Sequence, residues 1–577
     1  MPAAAQPSLK RPSPPDASTT LVSPMQRIAD RIDEVSPAPR KLMIAASSDL
    51  AAGDFQAAER KAMAAAPHGG PLALRLLGFV YERSGALPKA FTAYQAAHKL
   101  WPDDADGVRD LARLARRLGQ PGMAAELLLR VRAAAPGDLA DAQDLACALR
   151  DLDRFDDALQ VVREAMAMAP EDPNLWSLLG SIATQRGDDG DAQVFHDEAA
   201  RLGPREVPVL ANAAIARLDV GDAAGALAAC DAALAAAPTP PQAASVRMTR
   251  AFAQLCLGDL AGGWADYAAR LLPERREAMA FDIPGERWTP ARPLRGLSLL
   301  LVGEQGLGDE VLFGSMLPDL LTALGPAGRL TLAVELRLVS LFARAFPGVR
   351  VVAHVGTSLA GRVTRHVPEA GDEHDAWAPM GALLPLLRPT TDRFAPRAFL
   401  SPDPDRLAHW QEWLASLGPG RKVGFMWRSR LMGGLRNRRF APFEAWTPVL
   451  RTPGAVFVNL QYGEPGPELA RAAAAGLEIH QPPSLDLMQD LEGVTALTCA
   501  LDMMIGPMTA TSNLAAACGV ETWILASNPL WPLLGTGGCP WYQNVRAFAP
   551  EGADDWGPRL EEVAGALAER VEEASAA

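Results

Sequence analysis

The sequence predicts an α plus α/β protein: an all-α superhelix of repeats, followed by two Rossmann-like α/β lobes. Three observations carry this. Prolines recur every 34 or 35 residues from Pro67 to Pro273. Beyond Leu297 the pattern changes to short apolar runs that each lead into a helical stretch. The chain, at 577 residues, is too long for a single core.

Residues 1–38 are rich in Pro, Ser and Ala, with Pro12, Pro14, Pro15, Pro24 and Pro37 among them. Such a segment buries too little apolar surface to offset its ordering entropy, so a disordered tail is expected. A short helix near Met25–Val35 is compatible with the pattern.

The repeats occupy residues 39–275, about seven units. Their prolines stand at positions 67, 102, 136, 170, 204, 238 and 273. Ala90, Ala124, Ala158, Ala192 and Ala226 keep the same frame, as do Gly119, Asp153, Gly187 and Gly221. A 34-residue period of helix, turn and helix is the tetratricopeptide signature. The alanine lets two antiparallel helices approach, the Gly or Asp reverses the chain, and the proline ends the unit. Stacked units make a superhelix whose groove suits a peptide or protein partner. The last unit departs from the pattern at Gly263-Trp264, Tyr267 and Arg270. Trp264 and Tyr267 share a helix face and are expected to cap the array against the next domain. A linker, 276–296, follows, with Trp288 docked.

The first lobe is expected at 297–400. The run Leu297–Val302 reads as a buried parallel strand, and it leads through Gly306-Leu-Gly308-Asp309 into a helix over Val311–Leu324. Further strands are expected at Arg329–Glu335 and Val349–His354, with a helix at Leu336–Ala345. A connector helix, Leu400–Leu417, opens the second lobe, 401–577. Its strands are expected at Lys422–Trp427, Ala455–Gln461, Leu477–His480, Asp502–Ile505 and Glu521–Leu525, and Pro558–Ala574 closes it as an amphipathic helix. Two such lobes facing a cleft are the GT-B arrangement.

The net charge of −13 argues against a protein built to grip nucleic acid or an anionic membrane. No apolar run is long enough to span a bilayer, and no signal pattern opens the chain, so a cytoplasmic protein without stable membrane insertion is expected. The six cysteines form no C-x-x-C pair, and no metal site is expected.

Three segments could carry chemistry. Glycines at Gly306 and Gly308 would let backbone N–H groups approach an anion at a helix start, although Asp309 could simply be a cap. Five arginines fall within Arg428–Arg439, after the strand Val423–Trp427, where α/β lobes bind ligands. Their planar forks suit phosphate or carboxylate, and a solvated turn is the bland alternative. Thr509, Thr511, Ser512 and Asn513 stand at a helix start suited to a phosphate, or to ordinary capping. Trp523, Trp531, Trp541 and Tyr542 are read as core.

The run Glu304–Pro318 resembles the opening motif of tetratricopeptide-linked relatives of ADP-heptose heptosyltransferases (glycosyltransferase family 9-like). Leu501–Leu525 resembles that family's donor motif, and Pro540-Trp541-Tyr542 with Val545-Arg546 its closing segment. The sequence departs from the family at Met508, where Asp is usual, and at Asn513, where His is usual. The combination with repeats also resembles bacterial flagellin glycosyltransferases. That resemblance implies a metal-independent transferase with no cofactor beyond its nucleotide-sugar donor, a CMP-nonulosonic acid such as the pseudaminic acid type. It implies transfer to Ser or Thr hydroxyls of flagellin held by the repeats, which makes the first lobe the acceptor side and the second the nucleotide-sugar side. Asp309, with Glu310 in reserve, is then the expected base. Gly306, Gly308, Trp427, Arg428, Arg438, Arg439, Gln461, Thr509, Thr511, Ser512 and Asn513 are the expected donor contacts. The alternatives are a repeat adaptor whose transferase lobe has decayed, or a lipopolysaccharide heptosyltransferase-like enzyme.

Overall fold

The computed structural model describes residues 24–576, apart from residues 135–136, 276–277, 360–361, 372–373, 431, 433, 529 and 550–555. Pro136 of the proline ladder, residues 1–23 of the expected tail, residues 276–277 of the linker and Gly433 of the arginine loop therefore lie outside the described residues. The chain divides into two compact units near Ala213.

Helices come in antiparallel pairs from Pro37 onward. The pairs are Pro37–Ala51 with Phe55–Ala65, Gly70–Arg83 with Leu87–Leu100, Ala105–Arg117 with Pro121–Ala134, Leu139–Arg150 with Phe155–Met166, and Pro173–Arg186 with Asp189–Leu202. Val207–Asp219 with Ala223–Ala235, and Pro240–Cys256 with Leu260–Tyr267, complete the series. This is a tetratricopeptide-like superhelix. Ala90, Ala124, Ala158, Ala192 and Ala226 are all buried, as close helix approach requires. The chain reverses within pairs through left-handed residues: Gly85, Gly119, Asp153, Gly187 and Gly221 all have φ between 59° and 100°. Glycine takes that conformation without strain, and Asp tolerates it better than most residues.

The short helix compatible with Met25–Val35 is present within the expected tail. Pro24–Asp30 is α-helix and Ile32–Glu34 a 3₁₀ turn, and Ile28 is buried. Ile28 and Val35 supply apolar anchors within a segment whose overall composition is poor in them.

Two parallel sheets follow. Strands in chain order are β1 Ala280–Asp282, β2 Ser298–Val302, β3 Arg329–Val334, β4 Arg350–Ala353, β5 Val355–Leu359, β6 Arg362–His366 and β7 Ala376–Pro379. The first sheet runs β4-β3-β2-β7, and β1, β6 and β5 form a small separate sheet. Strands β8 Arg421–Phe425, β9 Ala455–Asn459, β10 Ile479–His480, β11 Met503–Pro507, β12 Thr522–Leu525 and β13 Val545–Phe548 form the second sheet, ordered β10-β9-β8-β11-β12-β13. That is the strand order 3-2-1-4-5-6 of a doubly wound fold. All pairings in both large sheets are parallel.

The expected helix over 311–324 is two helices, Leu307–Gly314 and Leu317–Leu324. Pro318 has no N–H to continue the first and opens the second. Asp403-Pro-Asp405, which has the form of a metal-binding pair, is a helix start: the Asp403 carboxylate accepts from the N–H groups of Asp405 and Arg406.

Ala158 is fully buried between the helices of its pair. Ala158→Leu is expected to overpack the fourth pair and lower stability by about 1–3 kcal/mol. Chemical unfolding of the purified variant checks this, and an unchanged midpoint would contradict the register.

Candidate active site

In a doubly wound sheet, ligands bind beyond the carboxyl ends of the strands where the strand order reverses. In the second sheet that point lies between β8 and β11. The loop after β8 carries Met426, Trp427 and Arg428, and the loop after β11 carries Met508 and Thr509. In the first sheet the point lies between β2 and β7, and the loop after β2 is Gly303–Gly306.

The two lobes meet at these loops. Asn513 Nδ2 donates to the Gly308 carbonyl at 3.3 Å, and the Tyr542 hydroxyl donates to Asn513 Oδ1 at 3.0 Å. A Cβ at position 308 would stand 3.2 Å from Asn513 Nδ2 and 3.3 Å from the Ala510 backbone nitrogen. Glycine there is what permits the approach. Gln305 takes a left-handed φ of 62° one residue before Gly306, a strained conformation for a side-chain-bearing residue.

Asp309 sits in the first turn of helix Leu307–Gly314. Its carboxylate reaches back to accept from the Gly306 N–H at 3.0 Å, the reciprocal half of a capping box. It is half-buried. Burial raises the ionisation ranges of the Tyr267 and Tyr542 phenols, and the Asp309 charge contributes to both. Asp309 therefore stands among three elements: the last repeat, the first lobe and the closing segment of the second.

The last repeat reaches the first sheet's reversal point. Glu304 is fully buried; Arg270 Nε and Nη2 donate to its two oxygens at 2.9 and 2.8 Å. Glu304 Oε1 also accepts from the Gly381 N–H, just after β7. The Arg270 guanidinium lies 4.3 Å from the Tyr267 ring, and Trp264 Nε1 donates to the Arg388 carbonyl at 2.8 Å. The cap anticipated from Trp264, Tyr267 and Arg270 is thus a polar clamp as well as an apolar one.

No protein-family profile matches the chain. Protein FlbA of Caulobacter vibrioides is 45% identical to it over 500 residues, covering 86% of this chain and 84% of FlbA. The chain belongs to the FlbA family. Neither the repeats nor the lobes approach 500 residues alone, so the likeness to FlbA takes in both. Among solved structures, a tetratricopeptide repeat protein from Parabacteroides merdae is 17% identical, covers 40% of this chain and 91% of its own, and has a TM-score of 0.35. YrrB, a tetratricopeptide protein described as having an unusual peptide-binding site, is 16% identical, covers 33% of this chain and 96% of its own, with a TM-score of 0.27. The repeat reading of this FlbA relative rests on its own helices, not on these two likenesses.

Several expected ligand contacts in this FlbA-family chain are engaged internally. Glu310 is buried, with Oε1 2.7 Å from His354 Nε2 and Oε2 accepting from the Glu335 N–H, so it ties the first lobe together. Trp427 is core, ring to ring with Phe425 and Phe443 at 5.2 and 4.8 Å. Gln461 brackets the loop after β8: its Oε1 accepts from the Trp427 and Arg428 N–H groups, and its Nε2 donates to the Arg428 carbonyl. Arg428 donates to Glu468 at 2.8 Å and Arg439 to Asp219 at 2.7 Å. Ser512 Oγ accepts from the Thr509 N–H and bonds the Pro507 carbonyl. Thr511 is buried. Gly306, Gly308, Arg438 and Thr509 are at least partly exposed around the junction.

Arg436, one of the five arginines of the candidate segment, and Arg365 were not among the expected site residues. Arg436 is half-buried on the 3₁₀ turn 434–439, and burial beside Arg439 lowers its ionisation range. Among the described residues no carboxylate pairs with it. Arg365 of β6 is buried and donates to the Gln305 carbonyl at 3.3 Å. Sequence spacing signals neither, because burial of an arginine depends on long-range packing. Burial pushes the Cys539 and Cys256 thiols up to about 11, which keeps both protonated and poorly nucleophilic.

Removing the cation from Glu304 leaves a buried carboxylate uncompensated. Arg270→Met is expected to cost about 3–5 kcal/mol. Denaturant unfolding measures it, and a loss below about 1 kcal/mol would show that Glu304 does not need Arg270.

Proposed function

We propose that the chain is a metal-independent protein glycosyltransferase whose repeats hold the protein acceptor and whose paired α/β lobes, in the GT-B manner, hold a nucleotide sugar. The observation that carries the reading is the junction at Gly308, Asp309 and Asn513. The first lobe's glycine turn and the second lobe's helix start at Thr509–Asn513 converge there, beside the reversal points of their sheets, and the first lobe's turn carries the half-buried Asp309. Asp309 is the base that takes the acceptor hydroxyl proton, a role worth roughly 10²–10⁴-fold in rate. Its attachment to the Gly306 N–H fixes its direction.

The helix start at Thr509–Asn513 is suited to the departing phosphate, since its N-terminus contributes partial positive charge. Arg436 and Arg438 lie on the 3₁₀ turn that follows β8 and suit a phosphate or a sugar carboxylate. A nonulosonic acid carries such a carboxylate, which favours a CMP donor of that class. Flagellin is the proposed acceptor, with transfer to Ser or Thr in the cytoplasm.

One observation favours a second reading. Ser512 and Asn513 spend their polar atoms on the protein itself. A non-catalytic adaptor, with lobes locked together by these bonds, would look the same.

The test is the intact mass of flagellin subunits from cells with and without the gene. Loss of a few hundred daltons per site in the deletion, restored by wild type and not by Asp309→Ala, is the expected result. Unchanged flagellin mass, or full restoration by Asp309→Ala, would overturn it.

A further inference from the structure

The face made by the first helices of the early repeats already holds a ligand: the chain's own helix Pro24–Asp30. Arg27 donates to Asp110 Oδ1 at 2.6 Å, and Arg31, just past the helix, donates to Asp104 Oδ1 at 2.7 Å. Ile28, between them, is 1% exposed. Arg31 also lies over the Trp101 ring at 4.4 Å. Met25 meets Ser47 of the first pair's first helix.

The acidic floor is built for this. Asp110 and Asp104 are buried, and both accept from Arg75 of the second pair, at 2.9 and 3.1 Å. Two carboxylates thus share one internal cation. Asp106, 3.6 Å from Arg27, adds a third carboxylate that it shares with Arg109. Without the helix above them, this floor carries excess negative charge under low-dielectric cover. Arg27 and Arg31 supply the balance, and Ile28 supplies the apolar contact.

A helix of seven residues has no stability of its own in water, so docking is what orders Pro24–Asp30. We infer that this face is the acceptor-docking surface, that it reads a helix bearing two basic residues four apart around an aliphatic side chain, and that Pro24–Asp30 occupies it until such a helix displaces it. This rests on the reading of the repeats as a protein-binding surface and not on the transfer reading. A tethered segment competes at an effective concentration in about the millimolar range, so the acceptor helix must exceed the resident one in affinity or avidity.

The probe is a fluorescein-labelled peptide of residues 24–36, titrated by anisotropy against the full chain. Arg27→Glu with Arg31→Glu sets like charges against Asp110 and Asp104 and ejects the resident helix. The labelled wild-type peptide is expected to bind this double variant roughly ten-fold or more tightly than it binds the wild-type chain. A peptide carrying both glutamates should bind neither. If the double variant does not fold, Ile28→Asp opens the face by removing the apolar anchor. Equal binding of the wild-type peptide to both chains, or binding to neither, would overturn the inference. Because the assay does not involve sugar transfer, it can fail or succeed independently of the transferase reading.

Discussion

The buried pair of Glu304 and Arg270 constrains more of this structure than any other contact. A carboxylate with no solvent exposure persists only if its charge is met, and here one guanidinium meets both oxygens while a backbone N–H of the loop after β7 adds a third bond. Glu304 immediately precedes the strained Gln305 and the Gly306–Asp309 turn. Its partner comes from the last turn of the repeat array. The direction in which the first lobe's glycine turn leaves β2 is therefore set by a residue of the repeats, and the turn in turn sets where Asp309 points. The last repeat and the first lobe are one folding problem at this point.

On the far side of that turn the constraint is close backbone approach. Gly308 admits Asn513, and Tyr542 holds Asn513 from behind. The Asn513 amide uses both ends: nitrogen to the first lobe, carbonyl oxygen accepting from Tyr542. A neutral amide makes these two bonds at any pH, whereas a histidine would make them in one tautomer only. Asn513 thus has a definite structural use, independent of any ligand.

Much of this was legible in the sequence because it is periodic or local. The 34-residue ladder located the helix pairs, since each marker answers a nearby steric demand at Ala158, Asp153 or Gly187. The strands β2, β3, β8, β9 and β11 were legible as apolar runs. Short strands were not: β7 is Ala-Trp-Ala-Pro and β13 is Val-Arg-Ala-Phe, too brief for a pattern to stand out. A short helix near Met25–Val35 was legible, but its docking was not, because the acidic partners that hold it lie over 70 residues away. The same limit governed the site. The glycine turn and the capping carboxylate of Asp309 were legible as a local motif, but the arginine segment hid a division of labour. Arg428 and Arg439 are tied to Glu468 and Asp219, and Arg436 has no carboxylate partner among the described residues. Charge density in a sequence gives no sign of which guanidinium is already paired.

The central claim is that the converging turns make a nucleotide-sugar site. Isothermal titration of the full chain with CMP, ADP, UDP and GDP tests it without knowledge of the acceptor. The account predicts saturable binding of one of these nucleotides, CMP foremost, weakened at least ten-fold by Arg436→Ala at unchanged thermal stability. No binding of any of the four would contradict it and leave the lobes as a structural extension of the repeats.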